Sequence, residues 1–531
     1  MAGHDAIIVG AGHNGLVAAA YLAKAGRKVL VLEQRPVIGG IAASEEMAPG
    51  FKYASCAHLA GSFSKAIVAD LELDRQGLEI LPLDPPIFAP SLDGAALIIP
   101  RDPAQVVEAI GRRSRSDAAK FDSFRGLLQK LCAFLEALYT VPLPSHGADG
   151  SFHFAALARA GWKFRRLGRE GMHEFLRILP MSAADLLDDW FEDHLLKASI
   201  AAAGLFGMFV GPRQQGTSWG LLHHLVGAAN GAVRSRGLVR GGIGNLARAL
   251  GCAAEQAGAE IRTATRVVRI TAEGGVARGV VTENGDEARA PVVISSADVK
   301  QTFLKLLDPA QLDPEFLLGV KNIRSRGTVA KLNLALDGLP KFAGSSDHRA
   351  AGALGGVIHI GPTLDYLERA SDDAKYGRFP ERPFFEITIP SVADGSLAPP
   401  GKHVMSAWIQ YAPYHLREAH WDREREALGD LAVDLIEEYA PGFKNLILHR
   451  QVLTPLDLEQ IYGLTEGHPY HAEMALDQMF FMRPLPGWSA YDTPIGNLYL
   501  CGSGTHPGGG VTGLSGRYAA QRILQNWPRE K

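Results

Sequence analysis

Three glycines near the start of the chain stand where side chains would obstruct chemistry. Gly10, Gly12 and Gly15 fall in the spacing G-x-G-x-x-G within Asp5-Ala-Ile-Ile-Val-Gly-Ala-Gly-His-Asn-Gly-Leu16. One glycine permits a tight turn, one lets the backbone approach a pyrophosphate, and one lets a helix touch a strand. Glu33 follows Gly10 by 23 residues, an offset at which a carboxylate can accept hydrogen bonds from an adenosine ribose. Near the other end, seven glycines occupy the fifteen residues Gly502 to Gly516. Such a run lets backbone lie against a flat group. A helix expected to start near Val511 to Gly513 would aim its positive end at that group. A helix N-terminus stabilises negative charge developing on such a group without a charged side chain.

These residues need a scaffold. Ala6 to Val9 reads as a strand buried on both faces, Leu16 to Ala25 as a helix, and Lys28 to Leu32 as a second strand. Further pieces are a helix at Leu246 to Ala257, the strand Glu260-Ile-Arg, a hairpin over Ala264 to Val281, and the strands Ala290 to Ala297 and Leu498 to Cys501. Ile87-Phe-Ala and Ala95 to Ile99, separated by Ser-Leu-Asp-Gly, read as another hairpin. From Asp102 to about Arg236 the periodicity turns helical, which suits an insertion capping a substrate cavity. Val299 to about Met479 is mixed, with helices at Val299 to Leu307 and Arg423 to Tyr439. Strands are expected there at Val329 to Leu336, Gly356 to Ile360, Phe384 to Ile389 and His403 to Ile409. The expected fold class is α/β: a Rossmann-type dinucleotide-binding domain, discontinuous in sequence, joined to an α+β substrate domain with a helical insertion. The cofactor domain takes residues 1–75, 236–300 and 481–531, and the substrate domain 76–235 and 301–480.

Composition narrows the function. With 47% apolar residues, 21% charged residues and a net charge of −3, the chain lacks the basic surface that nucleic acid requires. Cys56, Cys132, Cys252 and Cys501 lie far apart, which argues against a redox dithiol or a metal cluster. Met1 to Asp5 carries no basic stretch of the secretory kind, and no Arg-rich transit segment follows, so the expected compartment is the cytoplasm. Trp162-Lys-Phe-Arg-Arg-Leu-Gly-Arg169 mixes aromatic and basic residues as an interfacial segment would. Peripheral membrane contact is therefore an open alternative to a plain solvated helix face.

The first motif with its extension, Glu33-Gln-Arg-Pro-Val-Ile-Gly39-Gly40, and the glycine-rich tail together resemble the phytoene desaturase and flavin amine oxidase-like flavoproteins. Within them the resemblance is to a group labelled pyridine nucleotide-disulphide oxidoreductase domain-containing proteins. That label does not suit this sequence, which has no paired cysteines and no second G-x-G-x-x-G outside the glycine-rich tail. The resemblance implies FAD, and so makes the Rossmann-type part a glutathione-reductase-like FAD-binding domain. It implies cofactor contacts at Gly10, Gly12, His13, Asn14 and Gly15, and at Glu33, Gln34, Arg35, Gly39, Gly40 and Ile41. It extends them to His58, to Val267 and Val268 beside the adenine, and to Gly502, Ser503, Gly510, Val511 and Thr512. Ile41 departs from the pattern, because many relatives carry Arg there.

The expected activity is hydride transfer between an apolar organic substrate, lipid- or isoprenoid-like, and the flavin, with oxygen or a quinone as electron acceptor. The flavin carries the chemistry and the protein positions it. His506 is the candidate polar group at the reacting centre, ahead of His471 and Glu473. One rival is an amine oxidase, which needs an aromatic pair facing the flavin. The other is a low-turnover flavin-bearing scaffold that binds a partner protein. Gly241-Gly-Ile-Gly244 is a poor second nucleotide turn because no strong strand precedes it.

Overall fold

The computed structural model describes residues 3–60, 62–140, 154–226, 237–344 and 352–528. Five parallel strands form one sheet in the order Leu498–Leu500, Val292–Ser295, Ala6–Val9, Val29–Leu32 and Glu260–Arg262. Ala6–Val9 is buried along its whole length, because the sheet is covered on both faces: Ala6 and Ile8 pack with the helices, Ile7 and Val9 with the meander of Val267–Thr282. Helices His13–Lys24, Gly244–Gln256 and Leu514–Gln525 cover this Rossmann-type sheet. The first of them begins at His13, three residues before the apolar run that announces it. An antiparallel meander, Val267–Glu273, Val276–Thr282 and Glu287–Arg289, adjoins the sheet.

A second, seven-stranded sheet has the order Ile447–Leu453, Val329–Leu336, His403–Gln410, Phe384–Thr388, Val357–Ile360, Ile87–Ala89 and Leu97–Ile99. Helix Trp421–Tyr439 packs on one face. The other face meets a helical layer that includes Arg115–Tyr139, His194–Leu205 and Thr217–Leu225. In register, Lys331 pairs with Trp408, Trp408 with Glu386, and Glu386 with His359. Partners in register share a face, so these four side chains form a row across the sheet.

One local expectation needs correction. The single helix expected over Val299 to Leu307 is a short turn, Val299–Gln301, followed by a wider π-type turn, Thr302–Leu306. Gly237–Val239 pairs antiparallel with Ile80–Pro82 in a two-stranded ribbon and does not join the Rossmann-type sheet. The expected junction at residues 235–236 lies outside the described residues. Among the described residues no helix is long and apolar enough to cross a membrane.

Candidate active site

The carboxyl ends of Ala6–Val9 and Val292–Ser295 open onto a cavity of about 280 Å³. Its walls contain Gly10, Gly12, His13, Asn14, Glu33, Gln34, Arg35, Gly39, Gly40, Ile41, Val267, Val268, Gly502 and Ser503. The three glycines of the motif divide their work. Gly10 turns the chain at φ +94°. A Cβ on Gly15 would sit 2.2 Å from the Gly10 carbonyl oxygen, so Gly15 serves close packing and does not line the cavity. A Cβ on Gly12 would find nothing nearer than Ser296 Oγ at 3.8 Å, so the protein leaves that space open. Gly39 N–H donates to the Ala11 carbonyl at 2.8 Å, which lays the second glycine pair against the first turn.

Helix His13–Lys24 starts at this cavity with no side-chain cap on Gly12 and no acidic residue in its first turn. Its unsatisfied N–H groups and positive end suit a diphosphate. The buried Glu33 carboxylate accepts from Ala11 N–H at 2.8 Å and Arg35 N–H at 2.9 Å, and burial raises its pKa despite those bonds. Each oxygen keeps capacity for a ribose hydroxyl. The Arg35 guanidinium is held by Glu45 and lies 4.8 Å from the Tyr462 ring centroid. Three buried polar atoms on residues of this cavity have no protein partner: His13 Nε2, Asp298 Oδ2 and His471 Nδ1. Burial pushes His13 down to about 4 and His471 to about 3, so both are neutral at pH 7, and it pushes Asp298 up to about 6. Orphaned buried polar atoms around an open backbone cradle are what a polar dinucleotide satisfies. FAD fits these residues.

A second cavity, about 540 Å³, shares Ile41 with the first. It is bordered by His58, Gly510, Val511 and Thr512, and by Tyr139, Phe206, His223, His224, Glu386, Trp408 and Tyr470. Helix Leu514–Gln525 begins beside it at Gly513, φ +72°, without acidic residues in its first turn. Phe206 makes edge-on contacts with Trp408 and Tyr470 at centroid distances of 5.2 and 5.4 Å. Behind this wall the fully buried Lys331 ammonium donates to His58 Nδ1 at 2.5 Å and lies 4.6 Å from the Trp408 centroid. Burial lowers Lys331 to about 7 and pushes the neighbouring Cys56 thiol up to about 12.

Other expected residues lie elsewhere. His506 borders neither cavity: its Nε2 donates to the Tyr139 carbonyl at 3.0 Å, and burial pushes it down to about 4. Its carbonyl accepts from Tyr491 and Ser515 hydroxyls, both at 3.0 Å, so the residue braces the loop. Glu473 pairs with Arg324 and Arg326 and also borders neither cavity. In the 241–244 turn, Gly241 N–H goes to Asp394 and Gly244 N–H to Ser44 Oγ, which occupies the donors a second phosphate would need.

Sequence reading missed Lys331, although a lone lysine inside Val-Ala-Lys-Leu-Asn-Leu-Ala-Leu, a strand buried at every position, is a signal. It also missed Arg483, which is 1% exposed. Its Nη2 donates to the carbonyls of Tyr470 and Ser503, each at 2.8 Å, and so ties the glycine-rich loop to the cavity wall. Tyr139, His223, Glu386 and Trp408 give no local signal, because only packing brings their elements together.

A family model described as flavin containing amine oxidoreductase matches residues 15–524. Pyridine nucleotide-disulfide oxidoreductase domain-containing protein 2 of Rattus norvegicus is 37% identical over 555 residues, covering 98% of this chain and 94% of the rat protein. A limonene dehydrogenase chain of Castellaniella defragrans is 27% identical, covering 98% and 94% of the two chains. The crystal structure of an oxidoreductase from Methanosarcina mazei shares the fold, with TM-score 0.62 at 18% identity over 98% of this chain and all of that one (100%).

Proposed function

This chain belongs to the flavin containing amine oxidoreductase family and is an FAD-dependent oxidoreductase; from that premise we propose that it dehydrogenates an apolar organic molecule held in the second cavity. The observation that carries the reading is the joining at Ile41 of a nucleotide cavity to a larger one with aromatic and aliphatic walls. A relative bearing the name limonene dehydrogenase supports an apolar substrate. In this reading residues 1–75, 236–300 and 481–531 hold the cofactor, and residues 76–235 and 301–480 hold the substrate. Trp162, 57% exposed with the Arg166 guanidinium 4.6 Å from its centroid, supports peripheral contact with a membrane surface as the substrate source.

FAD, when bound, supplies the hydride-accepting chemistry. The chain's own residues bind and orient. The first turn of helix His13–Lys24 offers N–H groups to the diphosphate, and the start of helix Leu514–Gln525 offers a positive end to developing negative charge. Phe206, Trp408 and Tyr470 exclude water and hold the substrate in plane. Lys331 Nζ, poised near neutrality, can hold or release a proton behind Trp408.

Denatured protein should release FAD and no FMN; chromatography showing FMN, or an empty protein after reconstitution, would remove the assignment. Anaerobic mixing with a panel of apolar alkenes, alcohols and amines should bleach the flavin saturably with at least one of them. NADPH should reduce it slowly, since the donors of the 241–244 turn are already engaged; fast, saturable bleaching at micromolar NADPH would put a nicotinamide-dependent reductase first. A second reading, oxidation of an amine with oxygen as acceptor, is favoured by the Phe206–Trp408–Tyr470 cluster, which supplies the aromatic pair such an enzyme needs.

A further inference from the structure

One hydrogen-bonded pair on the helical side of the second cavity has a fixed polarity. Tyr139 ends helix Arg115–Tyr139, His223 lies in helix Thr217–Leu225, and both are buried against the cavity. The Tyr139 hydroxyl is 2.6 Å from His223 Nδ1, and His223 Nε2 is 3.1 Å from the Gly509 carbonyl oxygen. A carbonyl only accepts, so Nε2 carries the hydrogen. A neutral imidazole has one N–H, which makes Nδ1 the acceptor and Tyr139 its donor. With its proton committed to His223, the Tyr139 oxygen can offer a ligand only lone pairs.

The surroundings hold this arrangement in place. The Tyr139 backbone carbonyl is engaged by His506 Nε2 at 3.0 Å. Trp219 packs on His223 at a centroid distance of 5.8 Å. Next along the wall, His224 uses its own Nε2–H on the Phe206 carbonyl at 3.1 Å. Across the cavity stands the carboxyl of Glu386, another acceptor. At this part of the wall Tyr139 and His224 have committed their hydrogens to the protein, so what they present to a ligand are acceptors, while donors such as Lys65 and Arg517 line other parts of the cavity.

We propose that Tyr139 and His223 form a proton-accepting pair that selects substrates carrying an O–H or N–H donor at the group to be oxidised. The inference rests on the second cavity being the substrate site. When the bound donor gives up its proton, the X–H bond breaks and its electron pair stays on X. The proton joins the Tyr139 oxygen, and the Tyr139 proton moves to His223 Nδ1. The resulting imidazolium keeps its Nε2–H on the Gly509 carbonyl, which stabilises the charge. A hydrocarbon gains nothing from the pair, because it brings no donor.

Toluene, benzyl alcohol and benzylamine match in shape and differ in the donor. Their binding to the FAD-loaded protein can be followed by flavin absorbance and by calorimetry. Benzyl alcohol or benzylamine should bind about tenfold tighter than toluene, the scale of one buried hydrogen bond, and the tighter of the two identifies oxygen or nitrogen as the donor atom. Tyr139→Phe should erase that preference while toluene binding stays within about twofold, with FAD content checked in the same samples. Independently, ¹⁵N-histidine spectra of the apoprotein should show an Nε2–H tautomer for the resonance lost in His223→Asn, and that resonance should move in Tyr139→Phe. Equal binding of the three probes, a donor preference that survives Tyr139→Phe, or an Nδ1–H tautomer would remove the pair's role. Failure of all three probes to bind would remove the substrate-site reading, and the pair's role with it.

Discussion

Gly12→Val should give a folded protein that retains no FAD. Gly12 has an ordinary φ of −66°, so a side chain is not strained there. A Cβ would meet only Ser296 Oγ at 3.8 Å. The protein itself tolerates the substitution, and the expected loss is a helix-cap penalty on the order of 1 kcal/mol. The branched side chain instead fills the place where the backbone must approach pyrophosphate. Gly15→Val makes the contrast. Its Cβ would fall 2.2 Å from the Gly10 carbonyl oxygen, so that variant should lose fold stability together with FAD. Visible absorbance of the purified variants and thermal melts of their apo forms separate the two outcomes. Stoichiometric FAD in a folded Gly12→Val protein would show that the phosphates bind elsewhere.

Lys331→Met should stabilise the apoprotein at pH 6, and the advantage should shrink as the pH rises. Burial lowers the lysine to about 7 from an unfolded value of 10.5. Below pH 7 the ammonium is charged in both states and the folded protein bears the full desolvation cost. Between pH 7 and 10.5 the unfolded chain binds more protons than the folded one, so wild-type stability rises with pH. Above 10.5 the amine is neutral in both states and that cost is gone. The gap between variant and wild type should be about 5 kcal/mol larger at low pH than above pH 10.5. Denaturant unfolding of both proteins across this range, each carrying Cys56→Ala because that thiol is coupled to Lys331, cancels the contribution of groups remote from the site. A gap that does not change with pH would mean that Lys331 is not held in a dry site. Retention of a lysine at such cost, beside His58 and Trp408, is consistent with its use in the reaction.

Much of the cofactor half was legible without coordinates, because its determinants are local. Gly10, Gly12 and Gly15 encode a turn, an open approach and a close contact within six residues, and Glu33 follows at the end of the next strand. The cavity contains Val267 and Val268 together with Gly39, Gly40, Gly502 and Ser503, as the motifs implied. The strand Val329–Leu336 and the hairpin of Ile87–Ala89 with Leu97–Ile99 were likewise readable from their alternation and turn residues.

The substrate half depends on long-range pairing, which leaves no mark in a stretch of sequence. Lys331, Trp408, Glu386 and His359 become neighbours only through the register of four separate strands. Tyr139 and His223 come from two helices, and both touch the glycine loop through backbone carbonyls or His506. His506 shows the reverse case. Its position inside the glycine run suggested a role in chemistry, yet tertiary packing engages its ring with the Tyr139 carbonyl, and it lines neither cavity. Sequence determined the cofactor, since a phosphate site is built from backbone that neighbouring residues shape. Only the tertiary structure decided which side chains line the second cavity, because that depends on how distant elements meet.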